Sequence, residues 1–406
     1  YIINLQMKNI IILLIDALRI KNLSLFGYNK ETDKFLKNLS KDNILFKQHF
    51  STSNATAPAI TSILTGKYPQ NHGIIHQLPY TKKEEIEKVE RASFWLPSFL
   101  KEKGYETICI DWVGQWFKKG FDFYGEEDEE HKFSATYFIS AKETIDLAIS
   151  RIKKTQKPFF LLTHFWDTHF PFPNTNYVSI HNENDKIKTL DGIKNESERE
   201  YLKKRIDNIP LYTIQDMIDK YDLSIKQIDN EIQRLCYFLK QNNLFENTII
   251  FVLGDHGDSL TEHDIYFNHS GLYDDSIHVP MLVYIHGFEK KEINELTQHT
   301  DILPTILDYL NFETNEKYDG SSLIPLIKNN IPIRDKIFAF DGLANDIRAV
   351  RTKNRKLIIA KDSFCNLCKS FHHKEFEEYN LDEDKNETNN IYSGASSLAD
   401  FFDSVI

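Results

Sequence analysis

The chain has 406 residues, 41% hydrophobic and 27% charged, which is enough apolar material for a large core and excludes a disordered polymer. Its formal net charge of -11, spread along the chain, excludes the basic face that a nucleic-acid binder needs. Four cysteines do not make a disulfide framework, and no apolar run approaches the roughly 18 residues of a transmembrane helix.

Taken in chain order, "NIIILLIDAL" reads as a continuous apolar strand ending at Asp16, too short for a membrane span and without a cleavage site after it. The stretch "STSNATAPAITSILTGKYPQNHG" gathers hydroxyls around Pro58 before a helical apolar pattern, so a well-capped helix start is the plain reading of its Ser and Thr residues. "SFWLPSFLKEKGYETICID" reads as helix, turn and strand. "KPFFLLTHFWDTHFPF", "NTIIFVLGDHGD" and "HVPMLVYIHG" read as further buried strands. Strands alternating with helical stretches predict an α/β layered sheet, with the polar strand ends at the edge where open α/β sheets bind ligands. From Asn174 to Asn243 the chain is polar and helical, most clearly in "YDLSIKQIDNEIQRLCYFLKQNNL". Beyond about Tyr318, "DGSSLIPLIKNN", "IRAVRTKNRKLIIA" and "EFEEYNLDEDKNETNN" predict short strands and turns of a smaller part. The absence of an export signal predicts a cytoplasmic protein, with Met7 read as its start.

Three strand ends carry acids and imidazoles: Asp16, the pair Asp255–His256, and His164, Asp167 and His169. Carboxylates plus an imidazole suit a divalent cation such as Mn²⁺, Mg²⁺ or Zn²⁺, and Gly257 after the Asp–His pair permits a tight turn. A hydroxyl at a helix start beside them suggests an alkoxide attacking an anionic ester, with the helix N-terminus helping to hold the anion.

These segments resemble the sulfatase family of the alkaline phosphatase superfamily over nearly the whole chain. "NIIILLIDALRIKNLSLFGY" resembles its opening strand, "ATAPAITSILTGKYPQNHG" its nucleophile segment, and "HFWDTHFPF" its "HxxDxHxPY". "IIFVLGDHGDSLTEH" resembles its metal strand, and "SGLYDDSIHVPMLV", "HTDILPTILDYL" and "EEYNLDEDKNETNNI" resemble three further segments in the family's order. The resemblance implies an alkaline-phosphatase-like three-layer α/β/α sandwich around a large mixed sheet at residues 7–317, and a C-terminal α+β subdomain with a small antiparallel sheet at 318–406. It implies Thr56 as nucleophile, one divalent cation (Mn²⁺, Zn²⁺, Mg²⁺ or Ca²⁺) on Asp16, Thr56, Asp255 and His256, and His169 and His269 as catalytic groups on the anion or leaving oxygen. His164, His169, His263, His269 and Asp301 are left for a second ion, with Asp301 read as a helix N-cap and His263 as an exposed loop residue.

The departures from the family pattern redirect the chemistry. The family makes formylglycine from Cys or Ser before "P-x-R", whereas this chain has Thr56 and, at the arginine position, Ile60. The family's "GKWHLG" is "GQWFKKG" here, with Gln115 and Phe117 for Lys and His, Lys118 and Lys119 read as solvated, and Ala17 for a second Asp. Threonine there is what superfamily members acting on phosphorus carry, which implies a phosphate mono- or diesterase working through a phospho-threonine. A phosphoethanolamine or glycerol-phosphate transferase and a sulfuric ester hydrolase are the alternatives. The implied partner is a small-molecule, glycan or lipid-head-group ester, and a homo-oligomer stays open. Arg19 and His72 read as structural. "CNLCKSFHH" offers Cys365 and Cys368 with two histidines but lacks a second ligand pair at finger spacing, so it reads as a reduced, surface-near loop rather than a zinc site. The acidic "GEEDEEH" reads as a solvated loop.

Overall fold

A computed structural model describes residues 7–77, 80–92, 94–111, 115–125, 139–172, 175–343 and 346–404. The "GEEDEEH" loop falls almost wholly outside them. All seven residues of β1 (Asn9–Ile15) are buried, because the strand is covered on both faces and needs no polar alternation. Around it lie β2 (Ile44–Phe46), β3 (His49–Phe50), β4 (Glu106–Ile110), β5 (Phe123–Tyr124), β6 (Phe159–Phe165), β7 (Thr248–Gly254), β8 (Met281–Tyr284), β9 (Lys291–Ile293) and β10 (Thr297–Gln298). The main sheet is eight-stranded and mixed, in the order β5-β4-β6-β1-β7-β8-β2-β9, with β8 antiparallel to both its neighbours.

Alternate residues of β1 feed two cores. Ile11, Leu13 and Ile15 pack with Ile145 and Ile225 from the helices Ala141–Lys154 and Ile214–Gln241. Ile10, Ile12 and Leu14 pack on the other face with Ile60, Ile63 and Leu303 from the helices Thr56–Thr65 and Ile302–Tyr309. Helices on both faces make three layers, α/β/α. Each of those buried side chains contributes about 1.5–3 kcal/mol by leaving water.

A second, antiparallel sheet runs β11 (Ile337–Phe340), β12 (Asp346–Arg351), β13 (Arg355–Asp362) and β14 (Phe376–Asn380). Its strands alternate: Ile337, Ala339, Ala349 and Ile358 face Phe50 and Ile277 of the larger part, while Phe338, Val350 and Leu357 face Leu398 and Phe402. "DGSSLIPLIKNN" differs from the expected strands and turns. It forms a helix, Ile324–Asn329, whose Leu326 and Ile327 join the core under the main sheet. Among the described residues no helix is long and apolar enough to cross a membrane.

Candidate functional site

Strand register builds the site. Ile15 lies opposite Phe165 of β6 and Gly254 of β7, so all three strands end at one level. The next backbone steps lock them together: Asp16 N–H donates to the Phe165 carbonyl at 2.9 Å, and Asp255 N–H to the Ile15 carbonyl at 3.2 Å. Asp16 and Asp255 therefore leave neighbouring strands side by side, both fully buried. Their turns are tight: Ala17 adopts φ 51, which lets its N–H donate to Asp255 Oδ1 at 3.0 Å. Gly257 is required for space rather than for φ, since a Cβ there would lie 2.1 Å from the Asp275 carbonyl oxygen.

Thr56 enters from the helix Thr56–Thr65, its Oγ1 donating to Asp16 Oδ2 at 3.3 Å and lying 3.3 Å from His256 Nε2. The helix has Ala55 at its N-cap, with no side-chain cap. The neighbouring hydroxyls are spent inside the structure instead: Thr52 donates to Ser62, Thr61 to the Ala57 carbonyl, and Ser62 meets His72. Nor is the helix N-terminus an open anion site, because the Ala57 N–H donates to Gln77 at 2.7 Å and Pro58 has no N–H to offer.

Ligand atoms of Asp16, Asp255 and His256 all lie within 4.8 Å of one another. His256 Nδ1 is 2.8 Å from the Gly257 carbonyl, which fixes the proton there and points the Nε2 lone pair at Thr56. Asp16 Oδ1, Asp255 Oδ2 and His164 Nε2 are buried without hydrogen-bond partners. Two carboxylates and an imidazole with unsatisfied buried atoms are the donor set that a divalent cation satisfies. His164 stands at this same cluster: its Nε2 is 3.6 Å from both Asp16 Oδ2 and Asp255 Oδ2, and Asp111 holds its Nδ1 at 3.2 Å. Burial opposes the charge on His164, but Asp111 and Asp255 outweigh it and raise its pKa to about 10. Burial, with the Asp255 charge beside it, pushes Asp16 well above the carboxylate range. Burial acts the same way on Asp255 but loses to His256 and His164, which hold it well below that range.

Two more imidazoles face the cluster. The His269 ring is 4.5 Å from that of His256, with Nδ1 2.5 Å from the Asn54 carbonyl. His169 Nδ1 is 2.9 Å from the Phe170 carbonyl. Burial, with Arg205 and His256 adding to it, lowers His169 to about 3; burial, His256 and His169 lower His269 well below the histidine range.

The remaining sequence candidates lie elsewhere. Asp301 stands at the N-cap position of the helix Ile302–Tyr309, as expected, but its side chain makes no cap bond there: it accepts from Gln298 and Ser321 N–H groups and pairs with Arg334. His263 is not an exposed loop residue: its side chain is 10% accessible and stacks on Tyr273 with centroids 3.5 Å apart. Arg19 is structural, bonded to the Asp258 carbonyl and Glu262. His72 is packed under the helix, and Asp167 accepts from the Ala141 N–H. Phe117 is buried in the core, and Lys119 is not merely solvated but donates to the carbonyls of Val89, Glu90 and Ala92.

Sequence reasoning missed Asp111 and Arg205. Asp111 follows β4 as Asp16 follows β1, so the strand-end rule that found one could have found the other. Arg205, on the helix Glu196–Ile206, donates to the Phe170 carbonyl at 2.7 Å, and no local pattern in that polar stretch marks it. A cavity of about 600 Å³ lined by Arg19, Lys21, Asp274, Asp275 and Arg351 includes none of the cluster residues. Of these charges, Lys21 pairs with Asp275 at 2.7 Å and Arg351 with Asp274 at 3.1 Å.

The family model "Sulfatase" matches residues 8–312, and "N-sulphoglucosamine sulphohydrolase, C-terminal" matches 261–401. An ulvan-active sulfatase of Formosa agariphila is 26% identical over 374 residues, covering 82% of this chain and 57% of that protein. An arylsulfatase of Clostridium perfringens is 26% identical, covering 79% and 66%, so the chain spans less than two thirds of either relative. A multifunctional alkaline phosphatase superfamily protein of Trinickia caryophylli is 22% identical over 80% of this chain and 78% of that one. Among solved structures, a protein in complex with its substrate D-glucosamine-2-N,6-O-disulfate aligns at TM-score 0.72 and 18% identity over 98% and 96% of the two chains. The phosphonate monoester hydrolase of Agrobacterium radiobacter aligns at 0.69 and 17% over 98% and 94%. The shared fold is the alkaline-phosphatase-like α/β sandwich expected from the motifs.

Proposed function

The chain belongs to the sulfatase family, and from that premise we propose that it is a metal-dependent hydrolase of anionic esters, with phosphate or phosphonate esters as substrates and Thr56 as nucleophile. One observation carries the reading: a buried threonine oxygen sits 3.3 Å from both a carboxylate and an imidazole of a three-ligand cluster. Asp16, Asp255 and His256 would hold the divalent ion, with His164 facing the same carboxylates. When bound, that ion supplies Lewis-acid charge for the ester oxygens.

The chain's own residues supply the rest. Asp16 Oδ2, 3.3 Å from the Thr56 hydroxyl, can take its proton as Oγ1 attacks phosphorus in line with the leaving oxygen, while Asp16 Oδ1 and His256 Nε2 remain for the ion. The new bond is Thr56 Oγ1–P, the broken one P–O to the leaving alcohol, and water later releases the phosphoryl group. Burial keeps His169 and His269 neutral in the free protein, and an anion beside them favours the protonated ring. A protonated His269 then gives its proton to the leaving oxygen, while His169 holds the anion. Threonine carries a methyl on Cβ, so its oxidation cannot yield the aldehyde of formylglycine, which supports phosphorus over sulfur. The sulfatase names of the relatives support sulfate esters as the competing class, read in the same assay.

The test is hydrolysis of nitrophenyl phosphate, bis-nitrophenyl phosphate, a phenylphosphonate ester and nitrophenyl sulfate by metal-stripped protein given Mn²⁺, Zn²⁺, Mg²⁺ or Ca²⁺. Metal-dependent cleavage of a phosphorus ester supports the proposal. Cleavage of sulfate alone overturns the substrate class, and transfer to an added alcohol in preference to water identifies a transferase.

A further inference from the structure

A second donor cluster lies on the loop between β13 and β14. Cys365, Cys368 and His372 place their ligand atoms within 4.8 Å of one another, and Cys365 and Cys368 are 1% and 2% exposed. The loop folds as a knuckle: Cys368 N–H points at Cys365 Sγ at 3.5 Å, and Ser270 Oγ lies 2.9 Å from the same sulfur. Sulfur that collects several donors is sulfur prepared to be a thiolate. His372 Nε2 lies 2.9 Å from Cys368 Sγ. His373, the other histidine of the motif, is turned away onto Glu377 at 2.9 Å.

The ligand that the local sequence lacks comes from far along the chain. Glu198, on the helix Glu196–Ile206, is fully buried, and its Oε1 lies 3.3 Å from His372 Nε2. Neither of its carboxylate oxygens has a well-aligned hydrogen bond. Burial favours the neutral form of such a carboxyl group, and a cation placed beside it would hold it charged.

We propose that Cys365, Cys368, His372 and Glu198 are the four ligands of a structural zinc site. Two thiolates, one imidazole and one carboxylate fill a tetrahedral shell, and the sulfur content selects zinc over calcium or magnesium. Tetrahedral bonds of about 2.0–2.3 Å set neighbouring ligand atoms about 3.5 Å apart, so the closest pair, Cys368 Sγ and His372 Nε2 at 2.9 Å, opens by about 0.6 Å to admit the ion. Binding displaces the two thiol protons to solvent. The ion ties the helix that carries Arg205 to the C-terminal sheet and to Ser270, one residue from His269. Asn195 already bridges the same two segments through Ser370 at 2.7 Å. The site is independent of the reaction proposed above.

Cobalt substitution of the full chain tests it. The Asp16 cluster contains no sulfur, so a thiolate-to-cobalt charge-transfer band reports this site alone. The expected result is that band, with tetrahedral d–d intensity, in the wild type and in Asp255→Asn, its loss in Cys368→Ser, and a changed d–d envelope in Glu198→Gln. In the wild type, zinc should protect Cys365 and Cys368 from alkylation, and chelation should expose them while Cys109 and Cys236 stay protected. Absence of the band from folded wild-type protein overturns the proposal. So does a Cys365–Cys368 disulfide in protein purified under reductant, or alkylation that ignores zinc.

Discussion

Replacing Thr56 by alanine separates the part this residue plays in folding from the part it plays in chemistry. Its hydroxyl makes two contacts at 3.3 Å, the long end of the hydrogen-bond range, so each contributes at most about 1 kcal/mol. The methyl, on a residue 3% exposed, adds about 1 kcal/mol. No cap is lost, since the helix N-cap is Ala55. Thr56→Ala therefore destabilises the chain by about 1–3 kcal/mol, and Thr56→Ser by about 1 kcal/mol. Loss of the bond-forming oxygen should instead cut kcat at least ~10⁴-fold, about 5.5 kcal/mol of barrier, while Thr56→Ser stays within about tenfold of wild type. The assay pairs urea unfolding with hydrolysis of the best nitrophenyl ester, and acid quenching followed by peptide mass analysis looks for a phosphoryl group on Thr56. Thr56→Ala that folds and keeps kcat within tenfold refutes the assignment. So does Thr56→Ser that is as inactive as Thr56→Ala.

Three further outcomes are expected. Asp111→Asn removes the charge that orients His164 and should weaken divalent-ion affinity about 10–100-fold in a metal titration, with a loss of about 1–3 kcal/mol in urea unfolding because a buried charged hydrogen bond is weakened. Gly257→Ala forces a Cβ against the Asp275 carbonyl, so calorimetry should show a loss of about 1–3 kcal/mol and the same variant should lose most of its activity. His72, lowered by burial from 6.5 to about 3, binds a proton in the unfolded chain before it does so in the folded one. Its contribution is complete above about pH 6.5 and is lost as pH falls toward 3, at up to about 1.4 kcal/mol per pH unit. Urea midpoints from pH 7 to 4 should fall less steeply in His72→Gln than in wild type, and parallel slopes would exclude this source.

The sequence by itself determined most of the main-sheet strands and their polar ends. Apolar runs such as Ile10–Ile15 had no stable place other than a sheet covered on both faces, and local pattern alone thereby put Asp16, Asp255 and His256 at strand ends. Motif order singled out Thr56 among its neighbouring hydroxyls as the candidate nucleophile. Tertiary structure alone decided which acids and imidazoles meet. Register put Ile15 level with Gly254, which makes neighbours of carboxylates about 240 residues apart. The same register brought Asp111 onto His164 and turned His164 toward the Asp16 carboxylate rather than toward a separate site. "DGSSLIPLIKNN" became a helix because the core under the main sheet buries its Leu326 and Ile327, a tertiary demand that its turn-like residues do not encode. The two-cysteine motif looked incomplete because finger-like spacing is local, whereas Glu198 reaches it from 167 residues before Cys365 only after the polar helix docks. Local pattern sets which face of an element is buried; long-range packing sets which side chains share that burial, and a catalytic or metal site is made of the second kind of information.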